Sequence, residues 1–146
     1  YCQDILVTKV SPSGVVLWAS STGGPSEDIG YSIVVDPAGN SYVAGMFQGK
    51  VKFGSRTVQS RNWNPVHGYQ REDVFVTRLT PQGKFTWVTT AGGKEREMGY
   101  SIARTSNGDL FVAGRFQGTV AFGRTTLTAR GTWDAFVWMI PNNGKF

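Results

Sequence analysis

The sequence predicts an all-β chain built from a repeated unit, on three observations. The first is composition: 19 glycines in 146 residues with 13% aromatics suit short strands divided by many tight turns. The second is a stretch stated twice. Gly30-Tyr31-Ser32-Ile33, Gly39-Asn40, Val43-Ala44-Gly45-Met46-Phe47-Gln48-Gly49, Val51 and Phe53-Gly54 return as Gly99-Tyr100-Ser101-Ile102, Gly108-Asp109, Val112-Ala113-Gly114-Arg115-Phe116-Gln117-Gly118, Val120 and Phe122-Gly123. Gly30 to Gly99 and Gly54 to Gly123 are both steps of 69 residues, so the stretch recurs without a gap. The third is a restart of one strand pattern at Asp4, Asp73 and Asp134. A fixed long period marks one supersecondary unit stacked on its neighbour.

Each element follows from local pattern. Asp4 to Val10 is a strand, Ser11-Pro12-Ser13-Gly14 a turn with Pro second and Gly fourth, and Val15 to Ser20 its antiparallel return carrying Trp18. Gly23-Gly24 releases the chain from this hairpin. Tyr31 to Val35, the turn at Asp36-Pro37-Ala38-Gly39-Asn40, and Ser41 to Phe47 make a second hairpin, in which Gly45 signals a bulge or a close backbone approach. Val51 to Gly54 and Arg56 to Ser60 read as two very short strands. Arg61 to Glu72 has no period and holds Pro65 and Gly68, so it reads as a surface loop. The cycle then restarts with Asp73 to Leu79 and Lys84 to Thr90, followed by Tyr100 to Arg104 and Asp109 to Phe116. A third start covers Asp134 to Ile140. The interval from Asp73 to Asp134 is shorter than that from Asp4 to Asp73, and the missing length lies between Gly123 and Asp134. The first repeat thus carries an insertion that the second lacks.

Composition and charge exclude several function classes. No apolar run approaches the ~18–20 residues that cross a bilayer. No signal peptide is visible at the start, so the chain is mature, excised or a fragment. Cys2 is the single cysteine, which rules out an internal disulfide. The net charge of +5 is scattered along both repeats rather than gathered, which favours a solvated surface over a nucleic-acid footprint.

The repeated residues resemble the SBBP β-propeller repeat of secreted and surface-associated bacterial proteins. The resemblance rests on Asp-x-Phe/Leu-Val-x-Lys/Arg, Trp, Gly-Gly, Gly-Tyr-x-Ile, Gly-Asn, Tyr/Phe-Val-Ala-Gly-x-Phe-x-Gly and Phe-Gly, twice over nearly the whole chain. It implies four-stranded antiparallel blades, about two and a half of them, in an open or larger propeller. Residues 1–24 would then be the outer half of a preceding blade. Residues 25–93 would be one blade with an insertion at 50–72, and 94–146 a truncated second one, all in a single repeat region. Propellers close with typically four to eight blades. The resemblance supplies no catalytic residues.

Candidate chemistry is sparse. Asp4, Asp73 and Asp134 precede the same strand three times, and Asp28 and Glu97 precede Gly-Tyr-Ser twice. Backbone-amide capping accounts for such acids better than calcium, because no further oxygen ligands follow at loop spacing. Asp36-x-x-Gly39-Asn40 lacks the alternating acids of an EF-hand and is a hairpin turn. His67 is the only histidine, so no metal cluster and no Cys-His pair can be assembled, and no cofactor motif is present. Glu27, Asp28, Glu95 and Glu97 fall in one loop type, and their recurrence assigns each to its own blade.

The 61–72 loop departs from this pattern. Arg61, Trp63, His67, Tyr69 and Arg71 interleave cations with aromatics on a loop that a rigid scaffold would position. They are the candidate ligand-binding residues, for a carbohydrate or a polyanion. The rival reading folds Trp63 and Tyr69 back over the edge of their own sheet. The expected role is a non-enzymatic structural or binding module of a secreted or cell-surface protein, possible alternatives being a lectin-like propeller or a polysaccharide-acting propeller enzyme. The expected partners are other blades of a longer chain, or copies joined head to tail into a ring or filament, with no cofactor.

Overall fold

The computed structural model describes residues 2–64 and 71–144. Among these it is all strand and turn, with no helix. The first repeat contains β1 (Ile5–Val10), β2 (Val16–Thr22), β3 (Asp28–Val35), β4 (Ser41–Phe47), β5 (Lys50–Phe53), β6 (Arg56–Gln59), β7 (Asp73–Leu79) and β8 (Phe85–Gly93). The second continues with β9 (Glu97–Arg104), β10 (Leu110–Phe116), β11 (Thr119–Phe122), β12 (Thr125–Thr128) and β13 (Asp134–Ile140). No helix among the described residues is long and apolar enough to cross a membrane.

All pairings are antiparallel, and the sheets hold two to six strands. β1 pairs with β2, β9 and β13 flank β10, and β5 pairs with β6. The largest sheet runs β12-β11-β8-β7-β4-β3. Its meander β3-β4-β7-β8 joins the strand pairs expected from Tyr31 onward. The short hairpin β11–β12 then extends it at the β8 edge, through Val120 opposite Gly93 and Ala121 opposite Gly92. The sheet is therefore wider than four strands, because a hairpin from the following repeat adds to it. β5–β6 occupies the same place in the first repeat, so the length that the first repeat alone carries lies between Gln59 and Asp73.

Strand bounds differ from expectation at the junctions between units. β3 and β9 begin at Asp28 and Glu97, three residues early, because each acid is anchored by backbone amides. Gly92-Gly93, expected to lie beyond its hairpin, forms the end of β8 because the next repeat's hairpin pairs with it. Gly45 meets the expected close approach: a Cβ there would overlap the Ile29 carbonyl, and one on Gly114 would overlap that of Met98. A register shift lies opposite each, between Gly30 and Ser32 and between Ala113 and Gly114.

Two apolar clusters hold the units together. One joins β1, β4, β5 and β7 through Ile5, Val7, Val43, Phe47, Phe53, Phe75 and Leu79. The other joins β4 and β7 to β9, β10 and β13 through Ala44, Val76, Ile102, Val112, Phe136 and Trp138. Every strand of the central meander that contributes to both does so with alternate residues, Val43 to one side and Ala44 to the other, as a period of two requires. Both faces of its two middle strands are covered, which is why β4 and most of β7 are buried residue after residue.

Candidate functional site

The chemistry-bearing side chains gather at the junctions between repeat units, and the two junctions share one construction. The Asp28 amide donates to the Gln3 carbonyl at 2.8 Å, and the Glu97 amide donates to the Glu72 carbonyl at 2.8 Å. The acid side chain then turns back onto the glycine pair: Gly24 N–H donates to Asp28 Oδ2 at 2.7 Å, and Gly93 N–H donates to Glu97 Oε2 at 2.9 Å. The first glycine of each pair leaves room for a second acid, since a Cβ on Gly23 would overlap Asp4 and one on Gly92 would overlap Asp73. The second glycine leaves room for the short hairpin, whose Lys50 or Thr119 carbonyl lies over it. At the opposite end Trp18 packs on Gly83 and Trp87 on Gly144, the turn glycines one unit on, and Trp18 Nε1 donates to the Pro81 carbonyl at 2.8 Å.

Burial sets the electrostatics here. Loss of water raises the carboxyl of Asp28 to about 6, against the amides of Gln48 and Gly24 that favour its charge. Burial likewise raises Asp73 to about 7, opposed by the Arg61 amide. Glu97 rises furthest, to about 8: burial is the main cause, the Gly93 amide opposes it, and the neighbouring Asp73, Glu95 and Glu72 add to it. These acids serve the backbone as the sequence suggested. Asp73 Oδ2 accepts from Arg61 N–H at 3.0 Å and Asp134 Oδ2 from Arg130 N–H at 2.8 Å. Asp36 closes its hairpin by accepting from the amide and side chain of Asn40. Among the described residues no group of three or more His, Cys, Asp or Glu side chains is arranged to hold a metal ion.

Of the five candidate ligand residues, His67 and Tyr69 lie outside the described residues. Arg61 gives its amide to Asp73, Trp63 is half-buried with its amide on the Ser60 carbonyl, and Arg71 pairs with Glu95 at 3.0 Å. Asn62 Nδ2 donates to the Lys94 carbonyl at 2.7 Å. The described parts of this loop therefore tie β7 to the segment leading into β9.

A different cation-aromatic group escaped the sequence reading. The Arg115 guanidinium lies 4.0 Å from the centroid of the Trp133 ring and 5.5 Å from that of Tyr100, and Tyr100 meets Tyr31 edge-on at 5.2 Å. These four side chains come from three different strands and one loop, a juxtaposition no local spacing announces.

Comparison with known proteins meets this geometry at the first junction. A family model described as an SBBP beta-propeller repeat matches residues 18–46, which hold Trp18, the Gly23-Gly24 pair, Asp28 and the β3–β4 hairpin. This stretch matches the SBBP repeat. The match thus runs from β2 across the Gly23-Gly24 pair into β4. The regulatory protein FlaEY of Caulobacter vibrioides (strain ATCC 19089 / CIP 103742 / CB 15) is 28% identical over 143 residues, which is 98% of this chain. The chain spans 14% of the length of that curated relative.

Proposed function

We propose that the chain is a non-enzymatic structural and binding module whose four-stranded blades stack between further blades, in a secreted or cell-surface bacterial protein. In this reading β3-β4-β7-β8 is one blade, β1-β2 the outer half of the blade before it, and β9-β10-β13 the inner part of the blade after it. One observation carries the proposal: repeat-equivalent residues differ in exposure according to whether a neighbouring unit covers them. Val76 is fully buried under the next unit, whereas Val137, its counterpart in β13, is 70% exposed. Ile102 is 7% exposed behind the central meander, and Ile33, its counterpart in β3, is 51% exposed. Phe111 and Met139 extend the uncovered apolar face on one side, and Leu6 lies on that of the other. Contiguous apolar faces of this kind are interaction surfaces.

A scaffold role also accords with the carboxylates, since Asp28 and Glu97 are spent on backbone amides and Glu95 on Arg71. The likeness to SBBP repeats supports the extracellular placing, and the coverage of 14% of a protein named as regulatory suits a segment of a longer blade array.

The test places a thiol at the uncovered face by Val137→Cys in a Cys2→Ser background. Labelling of that thiol is compared in the 146-residue chain and in a chain lengthened by one further repeat. Slower labelling in the longer chain supports the module. Equal labelling overturns it, as would polysaccharide turnover lost on changing Glu27, Asp28, Glu95 and Glu97.

A further inference from the structure

The uncovered face of β9-β10-β13 carries an arginine where the face it repeats carries a buried methionine, and that difference specifies a partner. Alternation along β4 puts Tyr42, Ala44 and Met46 on the side where β9 packs, and Met46 is buried there. The same alternation along β10 puts Phe111, Ala113 and Arg115 together on the outer face. Arg115 thus stands where a buried methionine stands one repeat earlier. Its guanidinium is held against Trp133 and Tyr100, and Nη2 lies 3.6 Å from Met98 Sδ. Among the described residues no carboxylate meets it.

The two completed junctions show what approaches this place. The residue just before β3 or β9 lies beside Gln3 or Glu72, counterparts one repeat apart in the segments leading into β1 and β7. At the second junction these are Arg96 and Glu72, an ion pair with Nε to Oε2 at 3.3 Å. At the first they are Glu27 and Gln3. Trp133 is the corresponding residue before β13, and Arg115 lies over its ring. An incoming blade therefore brings its own lead-in residue to a site where an anion stood at the second junction and a cation stands now. Covering Arg115 with an apolar strand would bury an unpaired charge, and an arginine lead-in would set two cations together.

We infer that the outer face of β9-β10-β13 takes a further blade of the same repeat whose lead-in residue, at the position of Glu27 and Arg96, is a carboxylate. The Trp133 carbonyl receives the following backbone amide, as the Gln3 and Glu72 carbonyls do, and the incoming first strand covers Phe111, Val137 and Met139. The inference rests on the stacking module proposed above and adds the sign of the charge that selects the neighbour.

The experiment lengthens the full chain at Phe146, the counterpart of Phe85 in the sequence repeat, with a copy of residues 86–128. In this copy the residue taken from Arg96 is kept as Arg or changed to Glu, and each version is made with and without Arg115→Met. Thiol labelling at Val137→Cys, in the Cys2→Ser background, reports docking. With Arg115 present, the Glu version should slow labelling about tenfold more than the Arg version, a modest fraction of the coupling seen for close interfacial charges. With Arg115→Met the two versions should label alike. Equal protection by both versions in the Arg115 chain overturns the charge rule while leaving the stacking module intact. A difference that persists after Arg115→Met also overturns the rule, and protection by neither version overturns both readings.

Discussion

The first and second junctions share the backbone bonds that anchor Asp28 and Glu97 and differ in what covers them. At the first, Asp4 is exposed beside Gly23, and an open groove of about 890 Å³ runs between β1 and β3, lined by Ile5, Val7, Asp28, Tyr31 and Ile33. At the second, the counterpart Asp73 is buried, the groove is filled by β4, and Arg61, Asn62 and Arg71 bond to Asp73, Lys94 and Glu95. The two anchoring acids, both buried, differ in their electrostatics. Asp28 accepts two backbone amides and sits near 6, whereas Glu97 accepts one, faces a buried neighbour and sits near 8. Two copies of one pattern thus acquire different chemistry, from the longer side chain of Glu97 and from its surroundings together.

Alanine at the first glycine of each pair should break this symmetry most strongly. Gly92→Ala forces a methyl into Asp73, which is buried and held by Arg61, so a loss of about 2–3 kcal/mol is expected, within the range for overpacked sites. Gly23→Ala meets only the exposed Asp4 side chain, which can swing into water, and should cost under about 1 kcal/mol. Urea denaturation of both variants measures the gap. Equal losses would mean that the first junction is as tightly closed as the second.

A smaller effect is expected from pH. The folded chain holds protons on Asp28, Asp73 and Glu97 that the unfolded chain releases near pH 4. The contribution of these groups to stability is therefore fully present below about pH 4 and declines as pH rises through about 6, 7 and 8. Glu97→Gln should flatten the decline between pH 6 and 9 more than Asp28→Asn does, as read from thermal midpoints across that range. An unchanged profile for Glu97→Gln would detach the second junction from the titration.

The smallest effect belongs to the ion pair that only the second junction has. Arg96 is half exposed, so Glu72→Gln should cost about 0.5–1 kcal/mol at low salt and less at high salt. Gln3→Ala, the counterpart change, should leave stability within about 0.5 kcal/mol, as for ordinary surface positions.

How much of this was legible in the sequence depends on the range of the interaction. Hairpins within one unit were legible, because turn chemistry and alternation are local: β4, β7 and β13 have the expected bounds. The roles of Asp73 and Asp134 were legible too, since an acid repeated before a strand has backbone amides within reach. The attachment of β11 to β8 was not, because four residues carry no mark of which distant edge they join. Met46 and Arg115 look alike as strand positions. Only the packing of β9 over one of them, and of nothing over the other, makes the arginine informative. In the loop proposed for ligand binding, Arg61 lends its backbone amide to Asp73 and Arg71 pairs with Glu95, contacts that composition alone does not announce.

The most direct measurement is a carboxyl-detected NMR titration of the chain, following the side-chain carbons of Asp28, Asp73 and Glu97 from pH 3 to 10. The account predicts midpoints near 6, 7 and 8 in that order, with the second junction's two acids titrating above the first junction's Asp28. Midpoints for all three in the ordinary range near 4 would contradict it, since loss of water would then not outweigh the backbone amides at either junction.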